Sequence, residues 1–225
     1  GMVGGQSSLT YEIKNFPGFE EISGMELAMK MLSQAEKLGM EIKYSEVIEF
    51  NLKEKIKTLK LTSEEIKAKT VILCMGAKAR PLGVEKEKEL IGSGVAYCAV
   101  CDGAFYKDKN VIIYGSGESC LEDAVYLSNI AKNLTVVNKR PTFRGRDALV
   151  KNFNQAVKDK NIKIFYNTEI TGLVSDGTLK GVKVKNAVNG EQGEIETDGL
   201  FVANGHIPDT MNLHNVIDCT EKGYI

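Results

Sequence analysis

Residues 110–120 read Asn110-Val111-Ile112-Ile113-Tyr114-Gly115-Ser116-Gly117-Glu118-Ser119-Cys120. Val111, Ile112 and Ile113 make a short apolar strand, met at once by a Gly-x-Gly turn. A helical pattern runs from Glu118 through Ala131, and Leu134–Asn138 is a second strand. Strand, glycine turn, helix and strand make a βαβ unit, which belongs in a parallel sheet with a right-handed crossover. Within the turn Gly115 permits the tight bend, and Gly117 leaves room for a pyrophosphate against the backbone. The helix start behind them offers free N–H groups and the positive end of its dipole. Cys120 is small enough for the third position, where helix and strand pack closely. A plain helix start would use the same glycines.

Past the second strand, a site specific for NAD places Asp or Glu to hold the ribose 2′-hydroxyl. This chain instead reads Asn138-Lys139-Arg140-Pro141-Thr142-Phe143-Arg144-Gly145-Arg146, with no acid before Asp147. Only four of its 29 basic residues are Arg, and three of those lie within this stretch. Planar cations gathered in one place suit a 2′-phosphate, so the reading favours NADPH. A solvated basic loop is the plainer alternative.

Upstream of the first strand stands Cys98-Ala99-Val100-Cys101-Asp102-Gly103. Zinc needs two further ligands, and neither a second Cys pair nor the isolated His206 and His214 supplies them; no metal site is expected. A redox dithiol needs only the two sulfurs, one thiolate attacking and the other resolving the mixed disulfide. Asp102 adjoins the second sulfur and could move the proton if burial raises its pKa, although Asp-Gly is also a turn signal. A thiol does not accept hydride directly, so a dithiol beside a nicotinamide site implies a flavin between them.

Length and composition set bounds. A chain of 225 residues implies one or two domains. Hydrophobic content of 43% supports a core, and a net charge of −1 gives no electrostatic case for nucleic acid or an anionic membrane. No apolar run approaches the roughly 20 residues of a membrane-spanning helix, and no leader is visible. Five Cys are too few, and odd in number, for a secreted disulfide scaffold. Residues 1–10, opening Gly1-Met2, read as loop. Ser23 and Glu26 form a capping box for a helix ending near Gly39. Strands are expected at Glu41–Tyr44, Val47–Asn51, Ile56–Leu61 and Thr70–Met75, with a connector from Gly76 to Gly94. Beyond the βαβ unit come a helix at Asp147–Asp159 and strands at Ile162–Tyr166, Thr168–Val174, Leu179–Asn186, Glu194–Thr197 and Leu200–Ala203. Asn189-Gly190 turns a hairpin.

Five motifs in order give the chain a resemblance along essentially its whole length. These are Gly4-Gly5-Gln6 with Asn15-Phe16-Pro17-Gly18, Gly76-Ala77-Lys78-Ala79-Arg80, Cys98 to Tyr106, Gly115 to Ala124, and Gly205-His206-Ile207-Pro208. Together they resemble the bacterial-type, low-molecular-weight thioredoxin reductases of the pyridine nucleotide-disulfide oxidoreductase family. The resemblance implies an α/β chain with two Rossmann-like three-layer nucleotide-binding domains, the FAD domain incomplete. Residues 1–93 and 207–225 would form part of the FAD domain, and residues 94–206 the NADPH domain carrying the dithiol. NADPH would reduce FAD, FAD the Cys98–Cys101 disulfide, and the dithiol a thioredoxin or thioredoxin-like protein. Cys101 would lie against the flavin, Cys98 attack the partner, and Asp102 act as acid and base. Gly5, Gln6, Asn15 and Gly76 would serve FAD; Gly115, Gly117, Glu118, Ser119, Lys139, Arg140 and Arg144 would serve NADPH.

The family's His-Arg-Arg is here Asn138-Lys139-Arg140, with Arg144 retained. A cytoplasmic homodimer is implied for the full-length enzyme, with neither nucleic acid nor membrane as partner. The family's opening strand–Gly-x-Gly–helix unit is not found before Gly4, nor its C-terminal Gly-Asp motif before Ile225. A fragment is therefore expected, one that holds FAD weakly or not at all on its own and shows little NADPH-dependent disulfide reduction. Two other functions fit the same residues: a ferredoxin-linked or other dithiol flavoprotein reductase, and a non-catalytic nucleotide-binding remnant.

Overall fold

The computed structural model describes residues 3–10, 12–160, 162–213 and 215–225; Gly1, Met2 and His214 lie outside them. The chain divides into two compact units, Gly1–Lys78 with His206–Ile225, and Ala79–Gly205.

In the first unit the stretch expected as loop holds a 3-10 turn at Gly5–Leu9. Helix α1 (Gly24–Lys37) starts where the capping box places it, with Ser23 Oγ accepting the Glu26 N–H at 3.1 Å. It buries Leu27 and Ala28. Strands β1 (Val47–Asn51), β2 (Lys57–Leu61) and β3 (Glu65–Ala68) form an antiparallel meander. Sequence periodicity misses β3 because Glu-Ile-Lys-Ala holds one strong strand former; pairing with β2 makes it a strand. Glu41–Tyr44 and Thr70–Met75 are not strands. Along the latter, exposure still alternates residue by residue, with Ile72 at 89%, but no described strand closes a ladder beside it. Extended backbone becomes sheet only when a neighbour takes its N–H and C=O groups. The short β4 (Ala77–Ala79) comes next.

The second unit contains β5 (Val95–Ala96), α2 (Ala99–Asp102), β6 (Asn110–Gly115), α3 (Glu118–Leu127), β7 (Asn133–Val137) and α4 (Asp147–Asp159). After these come β8 (Ile162–Phe165), β9 (Thr168–Asp176), β10 (Thr178–Asn186), β11 (Gln192–Glu196) and β12 (Gly199–Ala203), and β13 (His206–Pro208) returns to the first unit. Five strands pair in the order β5-β12-β6-β7-β8, all parallel. The βαβ unit lies at its centre, although α3 stops at Leu127, short of the expected Ala131. Strands β9, β10 and β11 form a separate antiparallel sheet, with Gly190 at φ 74° in the β10–β11 turn.

Burial explains the layering. Successive residues of β6 point to opposite faces, and both faces are covered. Val111 and Ile113 join Leu134, Val136, Phe201 and the α3 residues Cys120, Leu121, Ala124 and Leu127 in one core. Ile112 and Tyr114 join Leu200, Val202, Ile170 of β9 and Leu179, Val182 and Val184 of β10 in the other. An uninterrupted Val-Ile-Ile run is what a strand buried on both sides requires. Each such side chain contributes about 1.5–3 kcal/mol. Residues 79–93, read from sequence as part of the first unit, pack with the second because Leu90 is buried in this second core.

Candidate functional site

In parallel α/β sheets ligands bind beyond the carboxyl ends of the strands, where β6 ends at Gly115. A Cβ there would lie 2.4 Å from the Ala203 carbonyl oxygen and 2.7 Å from Cys120 Cβ. Glycine is what lets α3 approach the sheet. At Gly117 an added Cβ would meet nothing within 4 Å. Gly117 is also the N-cap of α3 and supplies no side-chain cap, so the first-turn N–H groups take no bond from it. Exposed Ser119 stands in that first turn.

The two glycines should therefore fail differently. Gly115→Ala overpacks the strand–helix contact and is expected to lower stability by about 1–3 kcal/mol. Gly117→Ala keeps a backbone (φ −107°, ψ −175°) that any residue adopts. Its stability should fall by less than that of Gly115→Ala, Ala being only a poorer N-cap than Gly, while nucleotide affinity falls about tenfold, the methyl standing where a pyrophosphate approaches. Denaturation and nucleotide titration of both variants check this; unchanged affinity in Gly117→Ala would contradict it.

The basic stretch is fastened to this turn. The Arg144 N–H donates to the Ser116 carbonyl at 2.7 Å. The Arg146 backbone N–H and Nε–H donate to Glu118 Oε1 at 2.8 and 3.1 Å. These bonds hold the Glu118 carboxyl below the usual glutamate range. Phe143, between the arginines, packs edge-on against Phe153 of α4 (5.0 Å between centroids) and Tyr166 (5.7 Å). Asn138 is fully buried, and its Oδ1 accepts the Arg140 N–H at 2.9 Å. Its Nδ2 has no partner among the described residues.

Arg140, Arg144 and Lys139 enter no ion pair among the described residues, whereas Arg146 is taken by Glu118 and, at 3.9 Å, Glu122. Fixed backbone, uncommitted cations and an uncapped helix start suit a phosphorylated dinucleotide. The anchors Phe143, Glu118–Arg146 and Asn138 arise from long-range contacts. Only the aromatic set among the arginines hinted at them in sequence.

Cys98 and Cys101 form a disulfide, with Cα atoms 5.3 Å apart, within the roughly 7 Å that bridging permits. Cys98 is the N-cap of α2, and its Sγ accepts the Cys101 N–H at 3.2 Å. Both cysteines are half-buried, while Val100 and Phe105 beside them are exposed. Ala99 is fixed in the α3 core, and the backbone at Gly103 runs so close to Tyr126 that a Cβ would sit 3.0 Å from its ring. The dithiol and the glycine turn are thus both built on α3. Burial raises the Asp102 carboxyl above the usual aspartate range. Tyr106 is raised too, by burial and then by the charge of Asp102. The remaining cysteines are free; Cys120 is wholly buried, and that burial pushes its thiol well up.

In the first unit, Asn15 lines an apolar groove of about 540 Å³ with Gly4, Phe16, Leu27, Met31 and Leu32. Gly5 and Gln6 lie exposed in the neighbouring 3-10 turn. Gly76 has φ 70° and nothing within 4 Å of an added Cβ. An apolar wall with few donors suits the ring end of a flavin. Among the described residues this unit has no glycine turn leading into a helix for its pyrophosphate.

Known proteins match along the whole chain. The family described as pyridine nucleotide-disulphide oxidoreductase matches residues 1–225. A thioredoxin reductase of Bacillus subtilis is 37% identical, covering 100% of this chain and 71% of its own length. That of Listeria monocytogenes is also 37% identical, with 70% of its length covered. Among solved structures, Lactococcus lactis thioredoxin reductase, described as in its FR conformation, superposes with a TM-score of 0.84 at 32% identity. It covers 98% of this chain and 72% of its own. The T. acidophilum thioredoxin reductase gives 0.82 at 33% identity, covering 100% of this chain and 73% of its own. No helix of the described residues is long and apolar enough to cross a membrane. With the glycine turn, the anchored basic loop and the disulfide in one unit, the chain belongs to the pyridine nucleotide-disulphide oxidoreductase family.

Proposed function

We propose that this chain is the NADPH- and dithiol-bearing part of a thioredoxin reductase, passing electrons from NADPH through FAD to Cys98–Cys101 and on to a thioredoxin or thioredoxin-like protein. The observation that carries the reading is the Cys98–Cys101 disulfide at the head of α2, packed on the helix whose uncapped start is the phosphate site. The relatives named thioredoxin reductase support the same activity.

Gly115, Gly117 and the α3 start, with Ser119, take the pyrophosphate; Arg140 and Arg144, with Lys139, take the 2′-phosphate. Glu118 keeps Arg146 and its loop in place. Asn15, Gly5, Gln6 and Gly76 contribute to the flavin side. When bound, FAD supplies the carrier that accepts a hydride and delivers electrons to a disulfide. Reduction breaks the Cys98–Cys101 bond and leaves two thiols. The Cys98 thiolate then attacks the partner's disulfide, and Cys101 resolves the mixed disulfide. Two electrons and two protons pass to the partner, and the Cys98–Cys101 bond re-forms. Asp102, its carboxyl raised by burial, holds the proton moved beside Cys101. Three free cysteines support a reducing, cytoplasmic setting. We place the full-length enzyme there as a homodimer, which sedimentation checks.

The test is NADPH oxidation by the full-length protein with its FAD, with and without oxidised thioredoxin. One NADPH should be consumed per thioredoxin disulfide reduced. Oxidation indifferent to thioredoxin would contradict the proposal.

A further inference from the structure

Glu87 is a buried acid that the proposed chemistry does not use. It is 3% exposed, and its carboxylate accepts three hydrogen bonds. The Leu82 N–H and the Tyr97 hydroxyl donate to Oε1 at 2.7 and 2.5 Å, and the Gly83 N–H to Oε2 at 2.8 Å. Burial of a charge is tolerated where it is so engaged. The preceding residue, Lys86, has φ 64°, a left-handed conformation that a non-glycine residue keeps only when its surroundings impose it. Glu87 thus ties the segment entering this unit to Tyr97, the residue before Cys98.

Tyr97 occupies the short span between β5, whose Val95 and Ala96 pair with β12, and Cys98 at the head of α2. Its ring packs on the apolar cluster around Leu90 and Val95. Burial, then Glu87, raises its phenol, so the hydroxyl remains a donor. Cys98 is therefore held from two sides: by α2 on α3, and by the Tyr97 anchor ahead of it.

We propose that Glu87, acting through Tyr97, is a positioning residue that keeps Cys98 at bridging distance from Cys101 and so sets the thiol–disulfide equilibrium of the pair. The proposal rests on the reading of Cys98–Cys101 as the redox pair. A held backbone raises the effective concentration of one thiol at the other in the reduced protein, which favours the disulfide. Loosening the anchor lowers it and favours the dithiol.

The test is equilibration of the 225-residue chain in glutathione buffers. Two glutathione thiols give two electrons and two protons to the Cys98–Cys101 bond, leaving two protein thiols and one glutathione disulfide. Tyr97→Phe keeps the ring and removes only the hydroxyl; Glu87→Gln leaves one acceptor oxygen for three donors. Each should shift the equilibrium constant toward the dithiol by more than about twofold and at most about tenfold, the upper bound being one buried hydrogen bond made only in the disulfide form. Because both changes break one network, the double variant should shift little further than either alone. Tyr97→Phe, the milder change, decides the matter where Glu87→Gln lowers the melting temperature. Equilibrium constants within about twofold of the parent in folded Tyr97→Phe, below what one hydrogen bond contributes, overturn the proposal. A parent chain that yields no thiols at Cys98 and Cys101 overturns the redox reading itself, a distinguishable failure.

Discussion

In the full-length enzyme, replacing Cys101 by Ser should lower the turnover of disulfide reduction on the order of 10³-fold or more, the usual scale for removing one of two cooperating nucleophilic groups. The substitution is nearly isosteric. Ala99, fixed in the α3 core, and the Asp102 N–H to Cys98 carbonyl bond of 3.1 Å remain to hold α2. What is lost is the thiol that resolves the mixed disulfide. Cys98 should then stay covalently joined to oxidised thioredoxin, and the adduct should be seen by intact mass. Cys98→Ser should give no adduct. Cys120 cannot stand in for either residue, being fully buried with its thiol pushed up by burial and then by Asp123. An adduct through Cys101 in Cys98→Ser would reverse the assigned roles.

Arg140→Ala and Arg144→Ala should each weaken NADPH and leave NADH almost unchanged. A charge-assisted contact to the 2′-phosphate contributes about 1.5–3 kcal/mol, so each truncation should cost roughly 10- to 150-fold in NADPH affinity. The anchors of the loop make this a clean subtraction. Arg144 is tied to Ser116 through its backbone N–H, Arg140 to Asn138 likewise, and Phe143 by its ring contacts. Removing a guanidinium leaves all of these in place. Titration with both nucleotides checks the expectation. Equal losses for NADPH and NADH would show that the cations steer the loop and do not read the phosphate.

What the sequence made legible was local. Val111-Ile112-Ile113 followed by Gly115-x-Gly117 announces a buried strand entering a helix, because burial on two faces and a tight turn each leave a compositional trace. The Ser23–Glu26 box and the Asn189-Gly190 turn lie within a few residues of what they organise. The anchors of the site do not. Glu118 meets Arg146 across 28 positions, and Glu87 meets Tyr97 across ten. An acid in a helix's first turn looks the same in sequence whether it faces solvent or grips a loop. Thr70–Met75 shows the converse. Its pattern is that of a strand, yet a strand also needs a neighbour, which no property of the segment supplies.

The redox function proposed for this chain depends on Cys98–Cys101 being its sole exchangeable pair, and thiol mapping decides that point. The chain is alkylated under native conditions before and after mild reduction, and the labelled cysteines are located by peptide mass. Two new thiols per chain should appear, at Cys98 and Cys101, with Cys120 unlabelled in both states. No new thiols, or a released pair that includes Cys74 or Cys219, would contradict it.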